Sequence, residues 1–196
     1  MSLIAFQEAF ARLVAEPGFA DSVRAGRPTP GLSEREHARL VAAARDPGLS
    51  AATSVHLGWR LSKLLGLLPL TCAALGAELA GLASAFWALE RPRSLYFQRE
   101  AVAFCRFVIE ADGLSEAVRE VASFEAASIE LDLGPDDGGT ARVELRFTHD
   151  PGALLAAAAA TPSELAAVPE TNATVIGRRG AHGRHSWTFV RARVPA

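Results

Sequence analysis

Lysine is almost absent from this sequence: Lys63 stands alone against 19 arginines. With alanine so abundant, a GC-rich coding sequence explains that bias better than a demand for guanidinium chemistry. Cysteine is nearly as scarce. Cys72 and Cys105 lie far apart and form no CxxC, which excludes a disulfide framework and a zinc-ribbon spacing. Two reduced, buried thiols in a cytoplasmic protein are expected. No apolar run of about 18 residues is unbroken; residues 66–86 come closest, and Pro69 and Glu78 divide them, so no membrane span is expected. The N-terminus has neither a basic segment nor a long apolar one, so no secretory signal is expected. Carboxylates are missing from residues 171–196, which carry Arg178, Arg179, Arg184, Arg191 and Arg193. The remainder holds 15 basic against 22 acidic residues, giving an acidic body with a basic end that suits an internal or inter-subunit charge match. The net charge of −2 excludes a general attraction to nucleic acid or anionic membrane.

What is present is helical periodicity. Between Thr53 and Glu110, apolar residues recur at Val55, Trp59, Leu61, Leu64, Leu65 and Leu68, then Leu75, Leu79, Leu82 and Phe86, then Ala101, Phe104, Phe107 and Val108. That spacing predicts three amphipathic helices around a common buried centre. Upstream, Ser2 is a cap candidate for a helix carrying Phe6, Phe10 and Leu13, and Pro17-Gly18 stops it. Ser33-Glu34-Arg35-Glu36 reads as a capping box opening a helix to about Arg45. Helices are expected over 50–68, over 71–89 with small residues Ala73, Ala77, Gly81 and Ser84 admitting a close neighbour, from Ser94 to about 111, and over 114–127.

The period then changes to two. Ile129, Leu131 and Leu133 alternate with Glu130 and Asp132, and Val143, Leu145 and Phe147 alternate with charged residues, which reads as a hairpin. A short helix over 153–160 and a second hairpin, 172–178 with 184–194, follow. The expected class is therefore α+β: a helical domain, 1–126, then a β-rich domain, 127–196, with one short helix and a small antiparallel sheet of about four strands.

No motif carries chemistry. Among His37, His56, His149, His182 and His185 there is no i, i+4 ligand pair, and His182 and His185 flank a turn with no carboxylate close in sequence. There is no GxSxG, no phosphate loop and no calcium-loop spacing. Cys72, after Pro69 at a possible helix start, is better read as packed than as reactive. The second hairpin suits recognition instead. Arg184, Trp187, Phe189, Arg191 and Arg193 lie on a sheet whose edge could accept an extended peptide as a strand. Trp187 and Phe189 also fit a core stripe, and Arg191 and Arg193 fit a charged edge that guards against aggregation.

Trp59-Arg60-Leu61-Ser62-Lys63-Leu64, Leu67-Leu68-Pro69-Leu70-Thr71, Leu75-Gly76, Phe86-Trp87, Glu100-Ala101-Val102-Ala103-Phe104-Cys105 and the opening Leu3-Ile4-Ala5-Phe6-Gln7 carry a likeness. In them the chain resembles the MbnC-like companion subunits of multinuclear non-haem iron oxidases, known from methanobactin (copper chelator) biosynthesis and related ribosomal peptide modification. The resemblance implies a heterodimer. The MbnB-like partner would carry the iron and oxidise precursor-peptide cysteines to oxazolone and thioamide with dioxygen. This chain would bind no metal or other cofactor and would be no enzyme itself. It would hold the leader peptide through the β half, with Arg184, Trp187, Phe189, Arg191 and Arg193, and would meet the oxidase through the central helices, with Trp59, Arg60, Lys63, Arg91 and Arg93. Tethering the leader would raise the effective concentration of the core cysteines at the iron. Two other readings remain open: a DNA-binding or regulatory helical protein, which the acidic body suits poorly, and a free-standing enzyme with a thiol site at Cys72 or Cys105.

Overall fold

The computed structural model describes residues 3–89, 97–134, 141–160, 162–180 and 184–191, with the backbone alone at Pro17, Pro162 and Arg191. Ser2, Arg91, Arg93, Ser94, His182 and Arg193 lie outside the described residues. The fold is α+β, mostly helical, with a small antiparallel sheet toward the C-terminus. Its described residues divide into two compact units, one from 3–63 with 84–89, the other from 64–83 with 97–191.

The first unit is built on α1 (Leu3–Ala15), α2 (Pro17–Arg24), α3 (Glu34–Arg45) and most of α4 (Pro47–Leu67). Leu13, Val23 and Leu40 are fully buried at its centre, with Ala9, Ala20, Ala44 and Leu49 filling between them. The capping box forms as its spacing predicts. The Ser33 hydroxyl accepts from the Glu36 amide at 3.4 Å, and Glu36 Oε2 accepts from the Ser33 amide at 2.8 Å. The hydrogen bonds from the Ser33 hydroxyl and amide hold the Glu36 carboxyl below its ordinary range. Arg24 Nε donates to the Ala44 carbonyl at 2.7 Å and so ties α2 to the end of α3.

In the second unit α8 (Glu116–Leu133) is central, between α7 (Phe97–Glu110) and the sheet. It is apolar on more than one face: Ala117, Val118, Val121, Ala122, Ala126, Ala127, Ile129 and Leu131 are all buried. A helix apolar on several sides needs cover on several sides. α5 (Pro69–Leu75), α9 (Pro151–Ala160) and the sheet supply the rest of that cover. α5 is held by a buried carboxylate from α8: Glu125 accepts from the Leu70 amide at 3.0 Å and the Thr71 amide at 2.7 Å. Beyond α9 come α10 (Pro162–Leu165) and the sheet, of order β1 (Ala141–His149), β2 (Glu170–Arg179), β3 (His185–Arg191), antiparallel throughout.

Four sequence expectations are corrected. The sheet has three strands rather than four, because residues 129–133 continue α8 and are not a strand. Their alternation is overridden by tertiary partners on both sides: Glu130 pairs with Arg106 of α7 at 2.6 Å, and Leu131 packs over Gly177 of β2. β1 therefore pairs with β2, not with a preceding strand. Second, the expected helix over 71–89 is broken into α5, a 3-10 turn (Gly76–Glu78) and α6 (Leu79–Leu89), with Gly76 at φ +52°, a left-handed conformation that glycine adopts cheaply. Third, Ala77, Gly81 and Ser84 are exposed, and a Cβ on Gly81 would meet nothing within 4 Å, so among the described residues no helix closes on that small-residue path. Fourth, the periodic stripe on α4 is not wholly buried: Val55, Trp59 and Leu65 are 73%, 47% and 47% exposed. By length and composition alone the run Pro69–Leu89 would suffice to cross a membrane; its Leu75, Phe86 and Trp87 are buried.

Candidate functional site: the free edge of the sheet

The register fixes which way the backbone of β3 points. The amide of Gly180 donates to the carbonyl of Arg184 at 2.8 Å, so these two residues form a hydrogen-bonded pair. The β2–β3 register continues that pairing as Arg178↔Ser186, Ile176↔Thr188 and Thr174↔Val190. In an antiparallel ladder hydrogen-bonded and non-hydrogen-bonded pairs alternate. Hence Ser186, Thr188 and Val190 direct their amides and carbonyls to β2. Trp187, Phe189 and the flanking His185 and Arg191 direct theirs away from it, to the edge. Among the described residues β3 has a single strand neighbour.

The side chains of His185, Trp187 and Phe189 lie on the helix side of the sheet. Trp187 packs on Phe124 of α8 with ring centroids 4.6 Å apart, and its ring lies over Gly177, where a Cβ would come within 2.6 Å of Cζ3. Glycine is the residue that lets the indole sit down on the strand. His185 Nδ1 lies 2.7 Å from Asp132 Oδ1 at the end of α8, so it does have a carboxylate partner, brought by the fold rather than by sequence proximity. Phe189 shares this face but is 49% exposed, and Val190 on the other face is 47% exposed. The Arg179 side chain lies against Gly134, where α8 ends, placing a cation at the negative pole of that helix.

The two edges of the sheet differ. β1 places Arg142, Glu144 and Arg146 at alternate positions and has an irregularity between Phe147 and His149. Charge and bulges both discourage pairing. β3 has no charge from Ser186 to Val190, a run rich in the aromatic and β-branched residues that strands favour.

Among the described residues the other side of the sheet is exposed and basic. Arg142, Arg146, Arg178, Ser186, Thr188 and Val190 are exposed there, and Glu144 is the acid among them. Arg142 stands directly opposite Arg178. Since Arg178 bonds to β3, the Arg142–Arg178 pair is the closer, non-hydrogen-bonded kind. Like charges so placed oppose folding. Arg142 reaches Glu144 at 3.2 Å, while Arg146, Arg178 and Arg184 form no ion pair among the described residues.

A buried staple holds the sheet to α8. Glu120, 4% exposed, accepts from the Thr148 amide and, at 2.9 Å, from its hydroxyl, and its other oxygen lies 2.8 Å from His149 Nδ1. His149 lines a cleft of about 490 Å³ with Glu78, Leu75, Leu165 and the first turn of α8. Neither Glu120 nor His149 was singled out by sequence; the signal available was an acid set among the apolar residues of a helix.

The expected partner-facing residues of α4 separate. Trp59 is exposed with the Lys63 ammonium 5.5 Å from its ring centre. Arg60 is 2% exposed, its guanidinium 4.9 Å from the centre of the Trp87 ring, and faces inward. Close to Trp87, the first unit has an apolar pocket of about 540 Å³ lined also by Phe19, Leu57 and Ala88. The thiols are buried. Desolvation, then the Glu125 charge, pushes Cys72 up to about 12, and the same causes push Cys105 higher still. Among the described residues no group of three or more His, Cys, Asp or Glu converges as a metal site.

No family model matches the chain, and no curated protein and no solved structure matches it.

Proposed function

We propose that this chain is a recognition subunit that performs no bond chemistry, receiving an extended peptide as an added strand on β3 and presenting helical surface to a catalytic partner. The observation that carries this reading is the β3 edge: its outward backbone groups belong to residues with no charge between Ser186 and Val190, beside a half-exposed Phe189. Main-chain hydrogen bonds would give affinity, and alternate side chains would give selection. The exposed Val55 and Trp59, with Lys63 beside them, suit a partner interface, where aromatic residues are enriched. The resemblance to MbnC-like companions makes the peptide a precursor leader and the partner an iron oxidase that converts peptide cysteines to oxazolone and thioamide.

Co-expression with an MbnB-like oxidase tests this directly. A stable heterodimer with iron in the oxidase subunit is expected. Turnover of a peptide by the isolated chain, or failure of the two chains to co-purify, would overturn it. The competing reading, nucleic-acid binding, draws on Arg142, Arg146 and Arg178. Single-strand recognition on a sheet uses aromatic side chains as stacking platforms. The aromatic residues of β3, Trp187 and Phe189, are on the opposite face from those arginines. A gel shift at low salt separates the two readings.

A further inference from the structure

We infer that the strand received by β3 is an acidic one, in which apolar and carboxylate side chains alternate with the apolar set turned toward α8. This rests on the strand-addition reading and specifies the chemistry of its ligand.

The alternation follows from the register. Because Trp187 and Phe189 point their backbone groups to the edge, an incoming residue opposite either of them would form a hydrogen-bonded pair with it and share its face. That face carries the Trp187–Phe124 contact and the half-exposed Phe189 ring, so an apolar side chain there would complete the cover of Phe189. The residues between would fall on the open face, beside Ser186, Thr188 and Val190.

The acidity follows from the charge of the open face. Arg178 is opposite Ser186, whose short side chain leaves its guanidinium a path toward the edge. Two strands away is roughly 10 Å, within the combined reach of an arginine and a glutamate. Arg184 stands where β3 begins, on the same side of the strand as Ser186. Neither arginine forms an ion pair among the described residues, and Arg178 is forced against Arg142. Carboxylates on the incoming strand would relieve that opposition. A lysine-bearing strand would add to it.

Seven-residue peptides, the length of β3, test this by fluorescence anisotropy on the full chain. One alternates Val with Glu, a second Val with Lys, and a third is the Glu peptide N-methylated at every amide that would face β3. The Glu peptide is expected to bind about tenfold or more tighter than the Lys peptide at low salt, with the gap closing toward about 0.5 M salt. N-methylation is expected to abolish binding. Arg178→Glu with Arg184→Glu should invert the preference, and Arg184→Glu alone should narrow it. Equal binding of Glu and Lys peptides with loss on N-methylation would overturn the acidic assignment and leave strand addition standing. Binding insensitive to N-methylation, or no binding by either peptide, would overturn both. Concentration-dependent dimerisation that peptide fails to displace would show the edge taken by a second copy of the chain and would also overturn the inference.

Discussion

Glu120→Ala is the sharpest probe of how the sheet is held. The carboxylate serves the Thr148 amide, the Thr148 hydroxyl and His149 Nδ1, and is 4% exposed. Thr148 is exposed, so its hydroxyl can turn to water. The amide and the imidazole lose their acceptor in a site where the His149 side chain is 15% exposed. Each buried group left without a partner costs about 1–3 kcal/mol, so the alanine variant should lose about 2–6 kcal/mol. Glutamine keeps one oxygen for the amide and offers an N–H toward Nδ1, which the other imidazole tautomer can accept; Glu120→Gln should cost about 1 kcal/mol. Urea unfolding with an unchanged m-value reads both. An alanine variant within about 1 kcal/mol of the parent would refute the staple. Equal losses for alanine and glutamine would mean that charge, not acceptor geometry, holds the strand.

Gly177→Ala would put a Cβ 2.6 Å from Trp187 Cζ3 and 2.7 Å from Leu131 Cδ1. Overpacking of this kind costs about 1–3 kcal/mol, and the Trp187 indole NMR signal should shift; an unchanged signal and midpoint would mean that the strand yields freely. Burial raises the Glu125 carboxyl above its ordinary 4.5, against the hydrogen bonds from Thr71 and Leu70. A raised folded-state value makes its contribution full below about pH 4.5, lost as pH rises through that value. Glu125→Gln should therefore gain on the parent as pH rises from about 4.5 toward neutrality, and a flat difference curve would count against it. Iodoacetamide at pH 8 should label Cys72 and Cys105 only on unfolding; fast native labelling of Cys72 would revive the thiol-enzyme reading.

Local rules made parts of the fold legible. The Ser33–Glu36 box needs four consecutive residues and delivers α3 where the spacing puts it. The alternation of β1 and of β2 survives as strands because one face of each is packed on α8. The failures have a common physical origin: periodicity reports that a face is apolar, not what covers it. Val55 and Trp59 share the stripe expected at a helical centre, yet both are exposed. Residues 129–133 alternate as a strand would, but five residues of period two weigh less than the Arg106–Glu130 pair and the seat of Leu131 over Gly177. The site divides in the same way. Arg184, Trp187 and Phe189 were visible as a basic, aromatic hairpin. Glu120 and His149 lie 29 positions apart, and only the docking of β1 on α8 brings them together.

The departures from good local sense in the sheet are not scattered. A glycine sits mid-strand under Trp187, two arginines face each other at the closest cross-strand spacing, and Phe189 stands half-exposed on an uncharged edge. Each weakens the sheet as a free-standing object, through lost strand propensity, charge repulsion and an aggregation-prone edge respectively. The proposed added strand would address the last two together, covering Phe189 on one face and countering Arg178 on the other, with the glycine fixing Trp187 as its floor. Features that are separately unfavourable and jointly relieved by a single ligand are what a recognition site costs a fold. The same logic predicts that bound peptide will raise the denaturation midpoint of the parent more than that of the Arg178→Glu variant, which starts with one conflict already removed.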